Sequence, residues 1–151
     1  MELIMTNRKK PALFVIPLLL VLAGFLFLHC TTPERSVMRY YRRHIDTIRS
    51  DVERHLSTGD ALPLPKGIAS ITETEEDPRI IEYTLSGRGL GPSTSYCGFY
   101  YSEDDTPASF HGYGTSLTEI SDSEWKWTGE GDNHGYTRRL EKNWFYFEAS
   151  F

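Results

Sequence analysis

Residues Pro11 to His29 read PALFVIPLLLVLAGFLFLH, with no charged side chain among them. At about 1.5 Å rise per residue a helix of this run spans roughly 28 Å, the hydrocarbon thickness of a bilayer. In hydrocarbon the backbone must satisfy its own hydrogen bonds, so the run is expected to be a helix. Pro11 suits the first helical position, and Pro17 predicts a kink. The basic cluster Arg8-Lys9-Lys10 abuts the apolar edge. A cleaved signal peptide is disfavoured by the length of the run and by the lack of paired small residues near its end. A lipoprotein signal at Cys30 is disfavoured by His29 just before it. The expectation is a cytoplasmic tail over 1–10, an uncleaved signal anchor over 11–30, and a single pass through the cell membrane. The N-terminus is expected inside and the remaining domain outside, since long domains translocate largely regardless of their charge.

That run also explains the composition. The chain is 39% apolar, but Ala12 to Leu28 hold fifteen of those residues in seventeen positions. The remainder is much leaner in apolar side chains, and its length allows one small domain. The net charge of −5 is likewise a sum of unlike parts. Residues 1–30 carry +2, residues 31–57 carry +2, and residues 58–151 carry −9. An acidic domain gives no electrostatic reason to expect nucleic acid as a partner.

Thr31-Thr32-Pro33-Glu34 marks a helix start, with Thr32 as cap, Pro33 at the first turn and Glu34 at the positive dipole end. Val37, Tyr41, Ile45, Ile48, Val52 and Leu56 then recur at spacings of three and four, one stripe of an amphipathic helix over about 33–57. Gly59 is its expected stop. The stripe is expected to pack on the domain, with an arginine-rich contact to anionic headgroups as the alternative. An apolar helix running into an amphipathic helix and a sheet is similar in outline to pilin-like proteins. The run here contains no acidic residue and Thr32-Pro33 interrupts the junction, so no family is assigned.

Pro63 and Pro65 make 61–65 an extended connector. From Tyr83 to Phe151 there are fifteen aromatic residues and only five Val, Ile or Leu. Rings broken by many glycines predict antiparallel strands, over 67–73, 79–86, 94–102, 108–114, 116–120, 123–129, 135–140 and 143–151. Alternation gives three sets expected to face the amphipathic helix: Ile81, Tyr83, Leu85; Cys97, Phe99, Tyr101; and Phe145, Phe147, Ala149, Phe151. The fold class is therefore α+β: an N-terminal transmembrane helix, then an amphipathic helix packed on an antiparallel sheet, with the membrane-proximal segment 31–57 and the sheet region 58–151 forming one domain.

The opposite parity holds Tyr96, Tyr100, Trp125, Trp127, Trp144 and Tyr146. These six are the candidate ligand-binding residues, because rings with a polar tip suit a carbohydrate or a protein partner. A weaker candidate is the polar loop Thr128–Gly135, where Glu130, Asp132 and His134 offer metal ligands or acid–base groups. Glycine, Asp and Asn are equally what a hairpin turn needs. Ser102-Glu-Asp-Asp105 reads as a solvated loop. Cys30 and Cys97 read as separate thiols, Cys97 buried. No hydrolase, zinc or phosphate-loop motif is present, so no cofactor and no catalytic residue is expected. The expected function is a tethered binding or scaffolding module with the bilayer as one partner. The alternative is a small enzyme or metal-binding domain using the Glu130–His134 loop.

Overall fold

The computed structural model describes residues 32–74, 78–90, 93–112 and 115–151. The apolar run and Cys30 lie outside them. Among the described residues no helix is long and apolar enough to cross a membrane.

One helix, α1 (Pro33–Thr58), is followed by seven strands: β1 (Ser70–Thr74), β2 (Ile80–Leu90), β3 (Ser93–Ser102), β4 (Thr118–Ser121), β5 (Glu124–Thr128), β6 (His134–Glu141) and β7 (Trp144–Ser150). The helix begins at Pro33 as its cap sequence requires. It ends at Gly59, whose φ of 76° is the left-handed conformation that glycine adopts without strain, and whose N–H donates to the His55 carbonyl at 2.8 Å. Val37, Tyr41, Ile48 and Val52 are buried, and Ile45 and Leu56 pack beside them. The stripe read from the sequence is thus the face that meets the sheet.

The sheet is wholly antiparallel, in the order β1-β2-β3-β7-β6-β5-β4. Chain order is broken once. After β3 the chain crosses to the far edge as β4 and returns strand by strand to close β7 onto β3. The described parts of the crossing segment, residues 103–112 and 115–117, serve as a strap, with a 3-10 turn at Phe110–Gly112. The strand expected over 108–114 is therefore corrected. His111 and Gly112 have positive φ, and the His111 N–H goes to a side chain, so no ladder forms there.

Register decides which face each residue takes. Tyr101 lies opposite Trp144, and Phe99 opposite Tyr146. Directly paired residues share a face. Ile81, Tyr83, Cys97, Phe99, Trp144 and Tyr146 accordingly form one core with α1. The expectation for β7 is reversed: Phe145, Phe147, Ala149 and Phe151 lie on the other face, in a second core with Ile80, Tyr100, Phe110 and Trp127. Both sides of the sheet are packed, one by the helix and one by the strap.

Glycines make the second core possible. Gly98 faces it at the β2 bulge, where the register shifts between Thr84 and Ser86. A Cβ there would sit 2.1 Å from the Tyr83 carbonyl oxygen and 2.8 Å from the Phe147 ring. Neither the ladder nor a buried ring can yield. Gly98→Ala is expected to destabilise the domain by about 3 kcal/mol, read as a fall in its urea midpoint.

The Ser102–Asp105 segment is a loop with Glu103 and Asp104 exposed, and it is also a joint. Asp104 accepts from Ser102 Oγ at 3.0 Å and from the Thr106 N–H at 3.0 Å. Asp105 accepts from the Arg139 guanidinium and from the Asn143 N–H at 2.6 Å. These bonds fix where the strap leaves β3 against the β6–β7 turn.

Candidate functional site

The six ring candidates do not form one surface. Trp144 and Tyr146 are on the helix side and are 2% and 0% exposed. Tyr100 and Trp127 are on the strap side and are 2% and 6% exposed. Trp127 lies over Gly135, where a Cβ would meet the indole Nε1 at 2.2 Å. These four are core. Trp125 and Tyr96 are only partly buried, and each lines a cavity. Tyr96 stacks on Phe110 at 5.2 Å and borders a cavity of about 390 Å³ with Val37, Arg88, Cys97 and Glu148. Cys97 is a buried free thiol whose Sγ is 3.2 Å from Ser86 Oγ.

Glu130, Asp132 and His134 lie exposed at the β5–β6 turn. The turn closes on itself: the Gly129 N–H donates to the Asn133 carbonyl at 2.7 Å, and His134 Nδ1 donates to the Asp132 carbonyl at 2.7 Å. Gly131 has a φ of 74°. Among the described residues no group of three His, Cys, Asp or Glu side chains could hold a metal ion. The loop has the hairpin role of its glycine and amide residues, with Glu130, Asp132 and His134 exposed around it.

The larger cavity lies under the strap. It is a cleft of about 600 Å³, bordered by Thr74 and Ile80 from one end of the strand order and by Glu119 and Trp125 from the other. The sheet is curled enough that strands from both edges share it. Pro107, Ser109 and Leu117 of the strap complete the wall. Its volume is that of a small-molecule site.

Two buried hydrogen-bond systems tie the strap down on either side of Ser109. The first starts at Ala108, whose N–H donates to Tyr100 Oη at 2.8 Å. Thr137 Oγ1 donates to the Tyr146 carbonyl at 2.8 Å, so it accepts from Tyr100 Oη, also at 2.8 Å. Every hydroxyl in this relay has a donor and an acceptor. The second is at Glu82, 2% exposed on β2. Its carboxyl accepts from the His111 N–H at 3.0 Å and from Thr84 Oγ1 at 3.2 Å, with His111 Nδ1 at 3.4 Å. Burial is the dominant cause that pushes the Glu82 carboxyl up to about 7, against the pull of those two donors. Burial also lowers the His111 imidazole below its ordinary value. A proton near neutral pH therefore resides on the carboxyl rather than on the ring.

Ser109 stands between these anchors. It is 7% exposed, it lines the cleft, and its buried Oγ has no hydrogen-bond partner among the described residues. A buried hydroxyl left without a partner costs about 1–3 kcal/mol. The strap holds it there because the backbone on both sides is fixed. Sequence reading did not find Ser109, Glu82 or His111. The sequence signal for Glu82 was only its parity with Ile80. No family model, no curated protein and no solved structure matches this chain.

Proposed function

We propose that the chain is a single-pass membrane protein that holds its α+β domain outside as a binding module, with the cleft under the strap as the ligand site. The charge-free run from Pro11 to His29 supports the anchor, and Arg8-Lys9-Lys10 supports an inside N-terminus. The observation that carries the binding reading is the unpartnered Ser109 hydroxyl in the wall of a cleft that also holds a partly exposed tryptophan. A hydroxyl unpaired within the protein at a cleft wall is a group to which a ligand can supply a hydrogen bond.

The lining favours an uncharged, hydroxyl-rich ligand of oligosaccharide size. No Lys, Arg or His lies among the described lining residues, and Glu119 disfavours anions. The Trp125 ring supplies a stacking face and Ser109 a hydrogen bond. Because Trp127 and Trp144 are buried, a ligand-linked change in tryptophan fluorescence reports on Trp125. The test is titration with neutral di- and trisaccharides. Ser109→Ala is expected to act in two directions. It stabilises the unliganded domain by about 1 kcal/mol and weakens binding roughly fivefold. Trp125→Ala weakens binding roughly tenfold or more. Unchanged stability together with unchanged saccharide binding in the Ser109 variant would remove the basis of this reading.

A further inference from the structure

The exposed side of α1 carries a charge pattern that its packing does not use. Arg39, Arg42 and Arg43 are exposed, as is Arg35. At 3.6 residues per turn the three lie within an arc of about 100°, on the side of the helix opposite Val37, Tyr41, Ile48 and Val52. Among the described residues none ion-pairs with Arg39, Arg42 or Arg43. The arginines farther along behave differently. Arg49 is paired with Asp46 and Glu141, and Arg54 with Asp51. From Asp46 onward the same face turns mixed, with Asp46 and Glu53 exposed on it. Arg39, Arg42 and Arg43, the cations without an ion pair among the described residues, are thus confined to the first part of the helix, over about 6 Å of its axis.

We infer that this arginine face lies on anionic lipid headgroups. The inference rests on the membrane anchor proposed above. The occupant follows from the chain itself: the apolar run ends at His29, six residues before Arg35 and fourteen before Arg43. With the run in a bilayer, the first large anionic surface these side chains meet is the headgroup layer. A helix rising straight from the bilayer would carry Arg43 to about 15 Å, beyond the roughly 8 Å over which salt screens exposed charges. A helix lying along the surface keeps all of them within that distance. Guanidinium groups pair well with phosphate, often in bidentate fashion. The sheet then stacks on the side of α1 away from the lipid, because the buried stripe is opposite the arginines. The strap and its cleft are on the sheet's other face, and so open away from the bilayer.

The test uses the full chain reconstituted in two kinds of vesicle, phosphatidylcholine alone and phosphatidylcholine with phosphatidylglycerol. A water-soluble arginine reagent is applied, and modification at each residue is read by mass spectrometry. Arg39, Arg42 and Arg43 are expected to react roughly fivefold more slowly in the anionic vesicles at low salt. Arg139, which pairs with Asp105 on the strap side of the sheet, is the internal reference and should not change. High salt should abolish the difference. Equal rates in the two vesicles overturn the lipid surface, whether or not the arginines are protected in both by some other partner. Carbonate washing reads the anchor separately. A chain released by carbonate overturns the anchor and this inference with it. A chain that is retained yet equally labelled overturns only the inference.

Discussion

Trp144→Ala is expected to lower the stability of the domain by about 3–5 kcal/mol, the range for truncating a fully buried tryptophan. That is a large part of the 5–15 kcal/mol that holds a typical domain together. The residue is 2% exposed and sits where the helix meets the sheet. Its ring lies 6.1 Å from Tyr41 on α1, 6.4 Å from Tyr83, 6.1 Å from Phe99 and 5.4 Å from Tyr101. Removing it strips one side from four aromatic neighbours at once. Rings collapse poorly into such a space, since their positions are set by the ladder and by their own stacking. Trp125→Ala should be much milder, because that ring is only partly buried at the cleft wall. Urea unfolding followed by circular dichroism separates the two variants. A Trp144 variant that kept the native midpoint and lost only ligand binding would return it to the surface role that its sequence position suggested.

Trp144 also shows where sequence reading stops. Alternation in β7 separates Trp144 and Tyr146 from Phe145 and Phe147 without ambiguity. It cannot say which pair meets the helix, because both sets are aromatic and both faces of the sheet are covered. The pairing of Tyr101 with Trp144 decides it, and that pairing is a contact across forty-three positions of chain. In α1 the situation is the reverse. Its stripe has one apolar face and one charged face, and Pro33 and Gly59 mark its ends by local chemistry alone. The exposed arginines of its charged face were legible for the same reason. The strap was not legible, since its structure comes from what it touches. Ala108 and His111 give their N–H groups to Tyr100 and Glu82, residues that nothing local connects to them. Ser109 becomes a candidate site residue only through those two distant anchors. Glu82 itself, in the run Ile80-Ile81-Glu82-Tyr83, reads as a strand residue turned to water. The strap is what takes the water away.

That burial yields the second large effect. The Glu82 carboxyl is pushed up to about 7 in the folded domain, from an ordinary value of 4.5. Between these limits the folded state keeps a proton that the unfolded chain has released. Stability therefore falls as pH rises from about 4.5 to 7, and the full loss is present above that range. A displacement of this size corresponds to about 3 kcal/mol. The titratable groups that face Glu82 are Tyr100, directly opposite on β3, and His111 on the strap; its β1 neighbour Thr72 does not titrate. Burial raises the Tyr100 phenol, so it stays neutral across the window. The His111 imidazole is lowered from 6.5 by burial, and it acts in the opposite sense. As pH falls below 6.5 the unfolded chain takes up that proton first, which opposes the gain from Glu82. Glu82→Gln isolates the carboxyl. The amide oxygen can take the place of Oε2 and accept the His111 N–H, while the amide NH2 takes the place of Oε1, where the Thr84 hydroxyl can turn to accept; the side chain cannot ionise. The variant is expected to match the parent near pH 4.5 and to exceed it at pH 8 by up to about 3 kcal/mol. Urea midpoints across that range provide the check. Should the variant be the less stable protein at pH 8, the two donors must hold the ionised carboxylate more strongly than burial disfavours it. The strap would then be pinned by a charge, and its grip on the cleft wall would tighten rather than weaken as pH rises.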